Sequence, residues 1–314
     1  MELEIAISKF NDSERMEENF GPLNDPETDI IIKQNYPNHV LDALNIFRCI
    51  LKNSEYSSRA FELSEALSNK IKNHYAVWTY RRKYLIQQKD INLYEKELAM
   101  VDKYIMEEPK GFQIWDHKRF CLNELLTLKE SVLTEAMFED EISFLQKVFD
   151  IDNKNYHAWA YRTWLIGLNK KFVSKEKEAL EELIHQEMEN NSYWSYYHHL
   201  TTFDTSVEAK EHVKSFAMHI LALNLKNEAA WNFVNSLFDE YNSDYEEYLV
   251  SKMIQNVRFI EASYIFNQLK IADENNRNTK MLEHCFRRLI EELDTMRAKY
   301  WEWLASQSKI NLNS

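Results

Sequence analysis

The sequence predicts an all-α protein, an array of stacked helical hairpins forming an α-α superhelix. Glycine and proline are scarce, three and four in 314 residues, which argues against a β-sandwich or a doubly wound sheet, both dependent on many turns. A tryptophan-centred cassette recurs five times. Between the cassettes, apolar residues return at helical spacing.

Residues 1–36 are acidic, contain Pro22 and Pro26 and carry no strong period; they read as a loosely ordered arm. Residues 37–314 then read as one helical-repeat domain. The cassettes are "IKNHYAVWTYRR", "EEPKGFQIWDHKR", "DNKNYHAWAYRTW", "MENNSYWSYYHH" and "LKNEAAWNFV". Their tryptophans, Trp78, Trp115, Trp159, Trp194 and Trp231, stand 37, 44, 35 and 37 residues apart. That period suits one helix-turn-helix unit per repeat. Extra sequence around residues 126–140 accounts for the 44-residue step.

Before the second, third and fifth cassettes the amphipathic sets are Leu98, Val101 and Ile105; Ile142, Leu145 and Phe149; and Phe216, Ile220 and Leu223. Asn73, Asn155, Asn190 and Asn227 are placed to cap the helix that opens with each cassette, and Pro109–Gly111 breaks the chain in the second copy. Arg81, Lys118, Arg162 and Tyr197 follow their tryptophans by three and share a helix face with them. Each tryptophan is therefore expected to be a packing knob. Residues 244–307 continue as helices without a clear cassette, as terminal repeats do.

Lys and Arg total 38 against 51 Asp and Glu, a net charge of −13. This argues against non-specific nucleic-acid binding and attraction to anionic membrane, and no stretch is apolar enough to cross a bilayer. Cys49, Cys121 and Cys285 are far apart and odd in number, so a reducing, cytoplasmic location is expected. No spaced ligand set suggests a metal held by this chain.

The residues just before each tryptophan differ between copies and lie along one edge of the array, where repeat proteins present binding faces. They read Asn73-His74-Tyr75, Lys110-Gly111-Phe112-Gln113, Lys154-Asn155-Tyr156-His157, Glu189-Asn190-Asn191 and Lys226-Asn227-Glu228.

With "NYHAWAYRTW" and "VWTYRR" among its cassettes, the chain resembles, over about residues 40–310, the α subunits of protein prenyltransferases and their N-x-x-x-W-x-x-R repeats. Its tail "LDTMRAKYWEWLASQSK" is similar to the closing helix of the α subunit shared by farnesyltransferase and type I geranylgeranyltransferase. The resemblance implies a right-handed crescent wrapped around a β subunit in a heterodimer. The two together would move a prenyl group from its diphosphate to the cysteine of a CaaX-terminated protein. Zn²⁺ would belong to β, any Mg²⁺ would travel with the diphosphate, and this chain alone would be inactive.

By motif position, Lys110, Tyr156 and His157 would approach the isoprenoid diphosphate. Gln113 would bind the C-terminal carboxylate of the CaaX peptide, with Tyr75 and Asn155 also on the substrate side. The second copy departs from the family at Phe112, commonly tyrosine, and at Lys118, commonly arginine. Two alternatives stand beside this reading: the α subunit of the Rab geranylgeranyltransferase, and a non-catalytic helical-repeat scaffold.

Overall fold

The computed structural model describes residues 2–10, 36–130 and 133–312. Among them every regular element is helical, as the sequence predicts. The chain forms two compact units, residues 1–169 and 170–314.

The first unit contains α1 (Glu2–Ser8), α2 (Asn38–Lys52), α3 (Ser58–Lys70), α4 (Tyr75–Gln88), α5 (Ile91–Glu107), α6 (Phe112–Leu128), α7 (Glu135–Ile151) and α8 (Tyr156–Leu168). The cassette helices α4, α6 and α8 pack side by side, and each is backed by the helix before it. α1 lays Leu3 and Ala6, and the turn after it lays Phe10, into the core made by α2 and α3. Most of the expected acidic arm, residues 11–35, lies outside the described residues.

The second unit contains α9 (Val173–Gln186), α10 (Asn191–Thr201), α11 (Val207–Leu223), α12 (Glu228–Ser236), α13 (Ser243–Lys252), α14 (Arg258–Leu269), α15 (Thr279–Arg288) and α16 (Ala298–Gln307). Within this unit α10, α12 and α14 pack side by side. A π-turn at Leu289–Leu293 leads to the closing helix α16. There the buried Asp294 carboxylate accepts Trp301 Nε1 at 2.9 Å and Arg297 Nε at 2.8 Å, clasping the last helix to its own start.

The repeated tryptophans are all buried. In every copy the indole Nε1 donates to the carbonyl six residues earlier: Lys72 at 2.6 Å, Pro109 at 2.8 Å, Asn153 at 2.8 Å, Met188 at 2.6 Å and Leu225 at 2.8 Å. The knob is thus also a latch on the turn that precedes its helix. A buried indole N–H left without a partner would cost about 1–3 kcal/mol.

The position three after the tryptophan buries its polar end against acids of the neighbouring helices. Arg81 forms a two-pronged pair with Glu97, and Lys118 reaches Asp102 and Glu141. Val101, Ile105, Leu145, Phe149 and Ile220 are buried as expected. Leu223 is exposed, because α11 turns Val213, Ala217, Ile220 and Leu221 inward and the last turn carries Leu223 past that face.

Asn155, Asn190 and Asn227 do cap their helices, accepting from Ala158, Ser192 and Ala230. Asn73 does not. The cap of α4 is His74, which makes no side-chain cap bond, and Asn73 Nδ2 instead donates to Glu108 at 3.2 Å.

Candidate functional site

The caps set the geometry of the repeat edge in the first unit. Asn155 is only 1% exposed. Its Oδ1 caps α8 through Ala158 N at 3.0 Å, and its Nδ2 donates at 3.0 Å to the carbonyl of Pro109. That carbonyl already holds the Trp115 indole, so one oxygen ties the second cassette to the third. Asn227 repeats the arrangement in the second unit, donating to the Met188 carbonyl at 2.7 Å. In these two copies the cassette asparagine is therefore both a cap and a link between repeats.

Gly111 occupies the slot that asparagine fills in three other copies. A Cβ there would stand 2.8 Å from Ile114 Cδ1 and 3.0 Å from Asn73 Oδ1. Its backbone angles are ordinary, with φ −77°, so the glycine serves close approach rather than an unusual turn. Asn73 fills the space that a side chain would otherwise take. This accounts for the glycine of the second copy.

Lys110 stands immediately before this glycine, 80% exposed, with Nζ 3.5 Å from Asp152 Oδ2. Burial lowers the pKa of the His157 imidazole from the usual 6.5, outweighing the pull of the nearby Lys110 backbone toward the charged form. His157 is thus a neutral ring at neutral pH, wedged between Phe112 (centroids 6.3 Å apart) and Tyr156 (5.4 Å, edge to face).

Phe112 and Tyr156 are 61% and 77% exposed, and Tyr75, at the same position one repeat earlier, is 73% exposed. Gln113 follows in the first turn of α6, half-buried. The structure brings Lys110, Phe112, Asn155, Tyr156 and His157 together at one junction, with Gln113 one turn away and Tyr75 on the neighbouring cassette.

Such a cluster combines one exposed cation with neutral donors from an imidazole, a phenol and a carboxamide. It can bind an anion and hydrogen-bond a polar end group. It offers no activated nucleophile. Cys49, Cys121 and Cys285 are buried, and burial pushes their thiols upward, Cys285 to about 12, which disfavours the thiolate. Among the described residues no group of three or more His, Cys, Asp or Glu could hold a metal ion, and no helix is long and apolar enough to cross a membrane.

Sequence reasoning missed Asp152 and Glu108. Their signal was an acid seven residues before the tryptophan, visible in the second, third and fourth cassettes. It also missed the buried network in which Glu97 serves both Arg81 and His117.

Comparison with known proteins places two stretches, residues 94–125 and 138–168, in the protein prenyltransferase alpha subunit repeat. The geranylgeranyl transferase type-2 subunit alpha of Saccharomyces cerevisiae is 24% identical over 65% of this chain and 66% of its own length. The protein farnesyltransferase/geranylgeranyltransferase type-1 subunit alpha of Candida albicans is 23% identical over 84% of this chain and 87% of its own. The human type-2 subunit alpha matches at 21% over 59% of this chain and 32% of its own length. The chain thus spans less than two thirds of the type-2 relatives named here. Among solved structures, Candida albicans protein geranylgeranyltransferase-I complexed with GGPP contains a chain of the same fold. Its TM-score is 0.78 at 20% identity, covering 93% of this chain and 98% of that one.

Proposed function

Because the chain carries protein prenyltransferase alpha subunit repeats and is homologous to prenyltransferase α subunits over most of its length, we propose that it is the α subunit of a heterodimeric CaaX prenyltransferase. The observation that carries this reading is the Lys110 junction, an exposed cation beside neutral donors at the repeat edge. Prenyl transfer to a thiolate leaves negative charge on the departing diphosphate, and donors aimed at that charge lower the barrier.

Lys110 is assigned the diphosphate, with Tyr156 and the neutral His157 as hydrogen-bonding partners. Gln113 is assigned the peptide's C-terminal carboxylate. Its amide donates without adding a second cation to compete for the diphosphate. Asn155 and Tyr75 shape the same face, Asn155 through the Pro109 carbonyl that positions Lys110. The zinc that such a reaction uses to activate the thiol is assigned to the β subunit. Any Mg²⁺ is assigned to the diphosphate.

The CaaX reading is favoured by the Candida type-1 relative, which aligns along 84% of this chain. A second reading, the α subunit of the type-2 (Rab) enzyme, is favoured by the Saccharomyces relative at slightly higher identity over 65%.

The deciding experiment co-expresses this chain with a CaaX-type β subunit and, separately, with a Rab-type β subunit from its own organism, and purifies through a tag on this chain. Prenyl transfer to a CaaX peptide, absent from the chain alone, supports the first reading. Transfer only to a Rab protein with its escort supports the second. A stable chain that binds neither β subunit would make it a repeat scaffold.

A further inference from the structure

We propose that Asp152 is a positioning residue for Lys110: a fixed counter-ion that holds the ammonium until an anion takes it over. The proposal rests on the assignment of Lys110 to the diphosphate.

It starts from a regularity at the repeat junctions. The residue five before one tryptophan meets the residue seven before the next. Asn73 Nδ2 donates to Glu108 at 3.2 Å in this way, and Asn224 Nδ2 donates to Glu189 at 2.8 Å. Lys110 and Asp152 occupy the same two slots. In the first two cases two polar groups simply close the junction. At Lys110 the slot holds a full ion pair, with the cation on the exposed side.

The two partners differ in freedom. Asp152 Oδ1 accepts the Lys154 backbone N–H at 3.1 Å, and the Asp152 carbonyl accepts the Asn155 N–H at 3.0 Å. Only Oδ2 is left to face Lys110, and the carboxylate cannot follow the lysine. The Lys110 backbone is tied down as well, through the neighbouring Pro109 carbonyl, which Asn155 and the Trp115 indole both hold. The Lys110 side chain itself is exposed and held by this one contact. An exposed pair of this kind contributes little on its own. A multiply charged diphosphate outcompetes one carboxylate, and Asp152 sets how much affinity is lost in the exchange.

Asp152→Asn is a clean probe, because asparagine keeps an acceptor oxygen for Lys154 N–H and removes only the charge. In the assembled heterodimer, the dissociation constant of farnesyl diphosphate should fall about two- to fivefold, the range an exposed pair can supply. The constant for the CaaX peptide should not move. Asp152→Glu should return the diphosphate constant toward the original value. In a Lys110→Ala background, Asp152→Asn should have almost no effect, since the two residues share one interaction.

Equal tightening with and without Lys110 would mean that Asp152 acts on the ligand directly, and would overturn the proposal. Unchanged or weakened binding in the single variant would overturn it too. Should Lys110→Ala alone leave farnesyl diphosphate binding intact, the assignment of Lys110 fails and this proposal falls with it.

Discussion

Lys110 and Gln113 are three residues apart, yet they are assigned to opposite ends of the substrate pair, and that separation can be tested. Lys110→Ala removes a cation that acts on charge developing at the diphosphate, so the single-turnover rate should drop about tenfold or more. Peptide affinity should stay close to its starting value. Gln113→Ala removes a donor to a carboxylate, an interaction typically contributing about 1.5–3 kcal/mol. Peptide KM should therefore rise about tenfold or more while binding of the isoprenoid diphosphate is unaffected. Steady-state and single-turnover kinetics on the heterodimer separate the two. A Gln113 variant that loses both substrates equally would contradict its assignment, as would a Lys110 variant with full turnover.

At the scale of the element, the asparagine cap does two jobs, and the two units allow them to be told apart. Asn155→Ala and Asn227→Ala each delete a helix cap and a link to the preceding repeat. Each should cost about 2 kcal/mol in urea unfolding. Only Asn155→Ala should also weaken the diphosphate, because only its link ends on the carbonyl next to Lys110. Equal losses of activity from both would leave Asn155 a purely structural residue.

This duality marks the limit of what the sequence could say. The cassette period made the helices and the buried tryptophans legible, since periodic apolar positions report which face meets a neighbour. It placed Asn73 wrongly, because a cap depends on where the first helical residue falls and α4 begins one residue later than the asparagine pattern implies. It placed Leu223 wrongly because a helix's inward stripe drifts over its last turn. Asp152 was invisible as a partner of Lys110, since two residues 42 positions apart meet only once the repeats have stacked.

For the molecule as a whole, stability should depend on pH through histidines whose pKa burial lowers, His74, His157 and, fully buried, His117. His117 links α4, α5 and α6: its Nε2 meets Glu97 Oε1 at 2.8 Å, and Arg82 Nε–H donates to its Nδ1 at 3.3 Å. Arg82 thereby leaves Nδ1 without a proton, and Nε2–H is the donor to Glu97. A second proton would have to enter at Nδ1, against the Arg82 guanidinium. Arg81, Trp78, Cys121 and Phe120 close the rest of the site. Burial is the largest influence and pushes the pKa below 6.5, outweighing the pull of Glu97 toward the charged form.

A lowered folded pKa means that, below about 6.5, the unfolded chain binds a proton that the folded one refuses, so stability falls as pH falls. For each such histidine the slope reaches at most about 1.4 kcal/mol per pH unit. Glu97, held down at about 2 by Arg81 and His117 despite its burial, loses its own contribution only below 4.5 and does not disturb this window. The net charge of −13 works the other way, since adding protons relieves self-repulsion. Chemical denaturation at pH 7.5 and 5.5 should therefore show a loss of about 1 kcal/mol, set against that opposing trend. His117→Gln keeps a donor for Glu97 but cannot titrate, so its stability should change less over the same interval. Parallel profiles for the two proteins would show that His117 protonates as easily folded as unfolded, and that the network at the centre of the first unit tolerates the charge.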